Sequence, residues 1–328
     1  MSSSPTSRDS PAGVSSILNL LGPLLGLILV LVLFSFLAEG FLSLRNFRTT
    51  LIQTVIVGFG SIGMTFVIVG GGIDLSAGSV IALSSVVSAV GLQAGQPTWL
   101  AIALGVLAGG LCGLCNGLCV AKLELPPFIA TLGMFLVARG LAKYLAGNTM
   151  VRPRRETFVD ALVARSPEPP WLLVAPAVWI LFLLGIVLSI VLAKTVFGVH
   201  TYAVGSSEPT ARLSGVPVAR VKATHYVLSG LFAGLAGVVL YGRLGGMGDP
   251  TAAVGTELEI IAACVIGGAS LSGGEGRIRD SLVGALLMSF LATGCRMMDI
   301  PNYVQEIVTG CIIVVAVTVD RLRHRSRR

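Results

Sequence analysis

Asp74 is the polar residue whose surroundings most directly suggest chemistry. It is the only charged residue between positions 49 and 121. Acids within long apolar stretches are costly to bury, and in membrane proteins they commonly serve transport. Asp74 also follows Gly70, Gly71 and Gly72 and precedes an apolar run, so its carboxylate is suited to cap a helix. Both interpretations stay open: a helix cap and a polar group on a transport pathway.

Four other polar residues in glycine-rich or apolar segments are candidates for the same pathway, either lining it or supporting it. They are Ser76, Asn116, Ser270 and Ser272. Asn116 is equally suited to a hydrogen bond between two helices.

Three short motifs resemble cofactor or metal sites but lack the necessary context. Gly58–Gly63 matches G-x-G-x-x-G within an apolar run, where no βαβ unit surrounds it. Leu271–Gly274 reads LSGG, as in ATPases of the ABC class, yet no lysine in the chain completes a phosphate-binding loop. Cys112 and Cys115 have no second ligand pair. The sequence predicts no catalytic residue, no cofactor and no bound metal.

The composition requires a membrane protein to position these residues. Hydrophobic residues make up 54% of the 328-residue chain and charged residues 12%, about half the charge of a soluble domain. Charge-free stretches cover 10–38, 169–193 and 223–242, and about 20 apolar residues suffice for one membrane helix. The net charge of +7 lies beside these stretches, so it fits the positive-inside rule better than a nucleic-acid partner.

We predict an all-α integral membrane protein with about ten transmembrane helices. They lie near 17–37, 50–69, 75–92, 98–120, 127–146, 171–193, 224–241, 257–272, 281–297 and 303–319. The chain divides into an N-terminal tail (1–16), a transmembrane domain (17–320) and a basic tail (321–328). Both tails are predicted to be cytoplasmic, as is the basic segment 194–222. The arginine-rich loop 147–170 then lies on the opposite side, against the positive-inside rule.

Glycines mark helix packing and an internal echo. Gly105, Gly109, Gly113 and Gly117 recur every four residues, which gives one helix a bare face for close packing. The pattern G-G-x-x-L-S-x-G occurs at 71–78 and again at 267–274. A weaker echo pairs 125–129 with 300–304. Because many transporters contain two structural repeats, an internal repeat of unknown polarity is possible.

Segment 207–215 predicts a short capped helix between two membrane spans. Ser207 can cap it, Pro209 is tolerated in its first turn, and Gly215 and Pro217 end it. The interpretations are an ordinary loop helix or a docking element for a cytoplasmic partner.

From about residue 50 to 320 the chain resembles the permease subunits of ribose-type sugar ABC importers, which group with branched-chain amino acid permeases. The resemblance rests on four segments: GGGIDLSAGSVIAL (70–83), NGLCVAKLELPPFIATLGMFLVARGLA (116–142), YAVGSSEPTARLSGVPVARVK (202–222) and ELEIIAACVIGGASLSGGEG (257–276). It implies a coupling helix to an ATPase at Ser207, Glu208, Pro209, Thr210, Ala211, Arg212, Leu213, Ser214 and Gly215. Pro209 and Thr210 depart from the acid and small residue expected there, and charges follow Gly276.

The resemblance further implies import of a simple sugar, a pentose or hexose, across a bacterial inner membrane by ATP-driven alternating access. The implied partners are a cytoplasmic ABC ATPase that holds ATP and Mg²⁺, a second permease subunit, a periplasmic sugar-binding protein and the lipid bilayer. The alternatives are an ion-coupled secondary transporter, a passive channel, and an importer of nucleosides or another small polar solute. The exact sugar, and whether the permease pair is a homodimer or a heterodimer, stay open.

Overall fold

The computed structural model describes residues 12–153, 158–165 and 172–325. Thirteen α-helices account for most of this part of the chain, and its only β-type pairing is an isolated bridge between Val151 and Gly248. The helices are α1 Ala12–Leu37, α2 Leu44–Val69, α3 Ala77–Gln93, α4 Thr98–Ala121, α5 Pro127–Ala146, α6 Phe158–Leu162, α7 Pro176–Lys194, α8 Val196–Ser206, α9 Glu208–Leu213, α10 Val218–Arg243, α11 Thr256–Ile266, α12 Ile278–Met297 and α13 Asn302–Arg325.

Each of the ten predicted spans overlaps a helix, and the all-α membrane fold is confirmed. Among the described residues, six helices are long and apolar enough to cross a membrane: α2, α4, α5, α7, α10 and α12. α1, α3 and α13 contain shorter apolar helical stretches. α1 begins within the predicted N-terminal tail, and α13 continues into the predicted basic tail. Residues 1–11 and 326–328 of those tails lie outside the described residues.

The largest departure from the predicted boundaries concerns the span at 257–272. Only Thr256–Ile266 is helical, so α11 has 11 residues. At 1.5 Å per residue that is about 16 Å, half of a bilayer core. Gly267 and Gly268 end the helix early, because Gly268 has a φ of 89° that a glycine adopts readily.

α2 forms the centre of the bundle. Nearly every residue from Thr50 to Val69 is buried, and α2 packs against α7, α10, α11 and α12. A helix that is apolar on all sides must be enclosed by other helices or lipid. α7 contrasts with it, because Leu183 and Ile186 stay exposed on its outer face. Such faces suit contact with lipid.

The glycine strip of α4 sits at close helix contacts, as predicted. A methyl group built on Gly113 would lie 3.0 Å from Gly230 Cα, and one on Gly109 would lie 2.9 Å from Gly234 Cα. Gly117 meets the backbone of Ala223 in the same way, whereas Gly105 faces Ser88 of α3. The backbones of α4 and α10 therefore touch along an antiparallel seam.

The glycine echo corresponds to two copies of one helix-ending motif. The N–H groups of Gly71 and Gly72 donate to the carbonyls of Ile68 and Val67 at the end of α2. After α11, the N–H groups of Gly268 and Ala269 donate to Val265 and Cys264 in the same pattern. Both are Schellman motifs with glycine at the left-handed position. The first copy, at 71–78, is followed by two helices, α3 and α4, before the segment 125–129. The second copy, at 267–274, is followed by α12 alone before the segment 300–304. The two pairs of similar segments therefore do not belong to one repeat with the same order of helices.

The described part of the 147–170 loop packs at the bundle end opposite α9. Val159 of α6 lies against Gly242 near the end of α10, and Val151 pairs with Gly248. This placement agrees with the ten-span arrangement, in which the loop departs from the positive-inside rule. Arg154 and Arg155 lie outside the described residues.

Candidate pathway and coupling site

Asp74 is the centre of a fully buried polar cluster. Its Oδ1 accepts hydrogen bonds from the N–H and the hydroxyl of Ser76, at 2.9 and 2.6 Å. Its Oδ2 accepts one from the Ser229 hydroxyl of α10 at 2.8 Å. Asn116 of α4 donates from Nδ2 to Ser76 Oγ at 2.9 Å. We call Asp74, Ser76, Asn116 and Ser229 the Asp74 cluster.

The cluster clarifies both interpretations of Asp74. Its carboxylate accepts the amide of Ser76, the residue immediately before α3, so it fixes the start of that helix. The second oxygen bonds α10, and Asn116 bonds α4 to the same point. Asp74 thus combines local capping with a link between three helices, and Asn116 makes the hydrogen bond between helices that its type allowed.

Sequence reasoning missed Ser229. A single serine on an apolar helix has no distinguishing pattern, and only the fold brings Ser229 to Asp74. Its one sequence signal is that Ser229 directly precedes Gly230 of the close-packed seam.

Ser270 and Ser272 lie apart from this cluster, in the α11–α12 loop. Ser270 is buried, and its hydroxyl accepts the N–H of Ser272 at 3.2 Å. The N–H of Ser270 donates to the Glu275 carbonyl at 3.0 Å. Ser272 is exposed. The structure therefore joins three of the five predicted pathway residues and places the other two in a separate loop.

α9 is the short capped helix predicted at 207–215. Ser207 Oγ accepts the N–H of Thr210 at 3.4 Å, and Pro209 lies in the first turn. Gly215 ends the helix with a φ of 80°. Its N–H donates to Arg212, and the N–H of Val216 donates to Ala211. Ser207 therefore fixes the beginning of α9 and Gly215 fixes its end, so α9 is a separate helix and not a continuation of α8 or α10.

Glu208 ties α9 to the beginning of α10. Its carboxylate accepts hydrogen bonds from Lys222 Nζ and from Arg212 Nη2, the latter at 3.1 Å. The Lys222 ammonium, followed by the Arg212 guanidinium, holds the pKa of Glu208 below its usual range, although partial burial opposes this. The helix is thereby oriented by a charged pair outside the apolar bundle.

One face of α9 is anchored and the other is free. Ala211 is buried with Val204, Val218 and Val221. Leu213 is 90% exposed at the opposite side of the helix. A cleft of about 350 Å³ separates α9 and the start of α10 from the α4–α5 turn at 122–126. An exposed leucine on a rigid helix at the end of the bundle suits docking by another protein.

Four glycines connect α8, and hence α9, to the bundle core. We call Gly71, Gly205, Gly273 and Gly274 the glycine junction. A methyl group on Gly205 of α8 would lie 2.6 Å from the Gly274 nitrogen and 2.9 Å from the Val69 carbonyl carbon. Gly273 meets both Gly205 and Gly71, and the Gly274 N–H donates to the Val69 carbonyl at 2.9 Å. The junction thus joins α8, the end of α2 and the α11–α12 loop. Its Gly71 lies three residues before Asp74.

Within the described residues, no group of three or more His, Cys, Asp or Glu side chains is arranged to hold a metal ion. Cys112 is buried, whereas Cys115 is exposed.

Comparison with known proteins gives a consistent family. The family described as "Branched-chain amino acid transport system / permease component" matches residues 46–317. The L-arabinose ABC transporter permease protein of Azospirillum brasilense is 37% identical over 331 residues, covering 100% of this chain and 96% of that protein. The ribose import permease proteins of Bacillus subtilis and Escherichia coli K12 are 39% and 37% identical, each over 92% of this chain and over 92% and 93% of their own lengths.

No solved structure matches the chain. The family match covers every span from α2 to most of α13, including the Asp74 cluster, the glycine junction and α9. The chain therefore belongs to the branched-chain amino acid transport system permease family, as a relative of its ribose and arabinose import permeases.

Proposed function

We propose that this chain is the membrane permease subunit of an ABC importer for a simple sugar, a pentose or hexose. The relatives named for ribose and L-arabinose support this substrate class. The chain itself carries out no catalysis, since a separate cytoplasmic ATPase binds ATP and Mg²⁺ and hydrolyses the ATP. Its other partners are a second permease subunit and a periplasmic sugar-binding protein. It spans the bacterial inner membrane with both termini in the cytoplasm.

The observation that carries this proposal is α9 with its exposed Leu213 and its connection through the glycine junction. Closure of the ATPase dimer on ATP displaces α9. Because Glu208 and Ala211 fix α9 to α8 and α10, the displacement moves Gly205 against Val69 and Gly274. The end of α2 and the α11–α12 loop then shift together, and the bundle exchanges outward access for inward access.

Docking of the ATPase on α9 can be tested by isolating the tagged chain from its native membrane. Mass spectrometry of the co-purifying proteins should identify an ABC ATPase with the wild type. Leu213→Glu should lower the amount of co-purified ATPase at least tenfold, because it places a charge on the exposed docking face of α9. The fold should persist, since the exposed Leu213 side chain is not part of the bundle core. Arg220→Glu, at an exposed site of the neighbouring helix α10, should retain it. Isolation of the chain without an ATPase, under conditions that preserve a known ABC importer, would contradict the proposal.

The sugar class can be tested in proteoliposomes that contain the permease, its ATPase and its binding protein. Uptake of labelled ribose or arabinose should require ATP and should be reduced by competing pentoses or hexoses. Competition by nucleosides alone would assign another substrate. Uptake that needs an ion gradient, and neither ATP nor the binding protein, would instead support the secondary-transporter alternative.

A further inference from the structure

The segment between α10 and α11 folds back into the bundle. A methyl group on Gly248 would lie 2.7 Å from Ala89 Cβ, near the end of α3. A methyl group on Gly78, in the first turn of α3, would lie 2.6 Å from the Ala253 carbonyl oxygen. The chain therefore runs back along about 11 residues of α3, or about 16 Å. α11 begins only at that depth.

This returning segment is irregular and partly exposed. Residues 249–255 are non-helical, and Val254 is 72% exposed. Thr251 is also exposed. Non-helical backbone at membrane depth is tolerated where protein buries it or where it lines a water-filled cavity. Broken helices of this kind surround the solute sites of many transporters.

Two enclosed charged groups lie beneath the segment with unused hydrogen-bonding capacity. Arg139 of α5 donates from Nη1 to the carbonyls of Pro250 and Ala252, at 2.9 and 2.7 Å. Its Nη2 has no hydrogen-bond partner, nor has Glu257 Oε2 in the first turn of α11. Arg139 is 9% exposed and Glu257 8%. The pair attracts electrostatically but forms no direct ion pair within the described part of the chain.

We propose that residues 249–258 form the wall of the solute path, and that a solute hydroxyl binds between Arg139 Nη2 and Glu257 Oε2. A hydroxyl group can accept a hydrogen bond from the guanidinium and donate one to the carboxylate. The Arg139–Glu257 pair is itself neutral, and Asp249 in the same segment also attracts Arg139; the bridging geometry, which matches one hydroxyl group, is what suits a polyhydroxyl compound. This inference rests on the proposed sugar transport and deepens it by naming the site.

The wall has a means of opening. Both free atoms are enclosed in this conformation, so the segment must part to admit a hydroxyl group. Ala253 holds a φ of 58° and Gly255 a φ of 80°. A left-handed conformation is unfavourable for alanine, and strained residues of this kind are found at clamps and switches. The wall therefore bends at Ala253 and Gly255, and Arg139 holds it in the closed position through the carbonyls of Pro250 and Ala252.

Water access to the wall can be measured by labelling with a membrane-impermeant cationic thiol reagent. Val254→Cys is compared with Leu183→Cys, which is 63% exposed on the outer face of α7. Labelling is quantified by mass spectrometry of the peptide concerned, so the native cysteines do not interfere. We expect position 254 to react at least tenfold faster than position 183, and millimolar transported sugar to slow it. Equal, low labelling at both positions would overturn the inference, as would labelling that no transported sugar reduces.

The Arg139–Glu257 site is tested in the complete importer with its ATPase and binding protein. Glu257→Gln should raise the ATP hydrolysed per sugar imported at least fivefold, while ATPase binding persists. Glu259→Gln, two residues further on the opposite side of α11, should leave this ratio near wild type. An unchanged ratio in a folded Glu257→Gln importer would overturn the site. If the wild-type importer moves no sugar but position 254 is still labelled selectively, the proposed function fails while the water-lined wall stands.

Discussion

Gly205 of α8 packs directly against the backbone of Val69 at the end of α2. A Cβ at position 205 would meet the Val69 carbonyl and lie 2.6 Å from the Gly274 nitrogen, both of them backbone atoms that cannot rotate away. α8, the helix that leads into α9, is therefore in direct backbone contact with the bundle core. We therefore expect a displacement of α9 to reach the end of α2 and the α11–α12 loop through this contact.

We expect Gly205→Ala to separate ATPase docking from transport. The added methyl group must push α8 away from Val69 and Gly274, while the exposed face of α9 is unchanged. Sugar uptake should fall at least tenfold, and the ATPase should still co-purify. Gly140→Ala on α5 is the control, since a methyl group there meets no atom within 4 Å. Equal uptake by the two variants would show that the junction transmits nothing.

The Asp74 cluster predicts different outcomes for two substitutions at one residue. Asn at position 74 can still accept both bonds from Ser76 and can donate to the Ser229 hydroxyl, so Asp74→Asn should retain at least half of the uptake. Asp74→Ala loses three buried hydrogen bonds and should destabilise the protein by about 3 kcal/mol. Thermal unfolding in detergent and uptake measure the two effects. Loss of uptake in a stable Asp74→Asn protein, with Arg212→Glu still active, would favour ion-coupled transport.

Much of the fold could be predicted because apolar length and helix-stop residues are local signals. Gly215 and Pro217 predicted the end of α9, and Gly70 to Gly72 predicted the end of α2. The half-length of α11 was not predicted: the span expected at 257–272 includes Gly267 and Gly268, which end the helix after Ile266. The helix is limited at its other end by the returning segment 249–255, which sets the depth at which α11 starts.

The site was predictable only in part for a similar reason. Asp74 is conspicuous as an isolated charge, and Ser76 and Asn116 stand out as polar residues in glycine-rich or apolar segments. Ser229 and Gly205 contact the site from distant positions in the sequence, so no local pattern could identify them. The sequence analysis did not select Arg139, because its contacts with the carbonyls of Pro250 and Ala252 arise only in the fold.

The Glu208–Lys222 pair predicts that α9 loosens in acid. Because the folded pKa of Glu208 is lowered, its contribution to α9 is complete above about pH 4.5, the usual value for a glutamate, and is lost as the pH falls through the folded value. Its carboxylate is about one-third exposed, so the contribution should be only about 0.5 kcal/mol. Hydrogen exchange at Ala211, corrected for intrinsic rates, should increase below that pH. Glu208→Gln should exchange faster at neutral pH and show no further acid response, and an equal acid response in both proteins would exclude the pair as the cause.

Two glycines on α4 predict a sharp contrast in stability. At Gly113 a methyl group would meet the backbone of Tyr226 and Gly230, which belong to the close-packed α4–α10 seam. At Gly110 it would meet only the Leu231 side chain, whose Cδ2 lies 2.8 Å away and can rotate aside. Gly113→Ala should therefore force the two helices apart and lower the unfolding temperature in detergent by several degrees, since displaced backbone loses dispersion contacts along the whole seam. Gly110→Ala should change it little, because alanine also favours the helix by about 1 kcal/mol over glycine. If both variants unfold at the wild-type temperature, the seam tolerates separation, and the recurrence of glycine every fourth residue on α4 needs an explanation other than backbone contact.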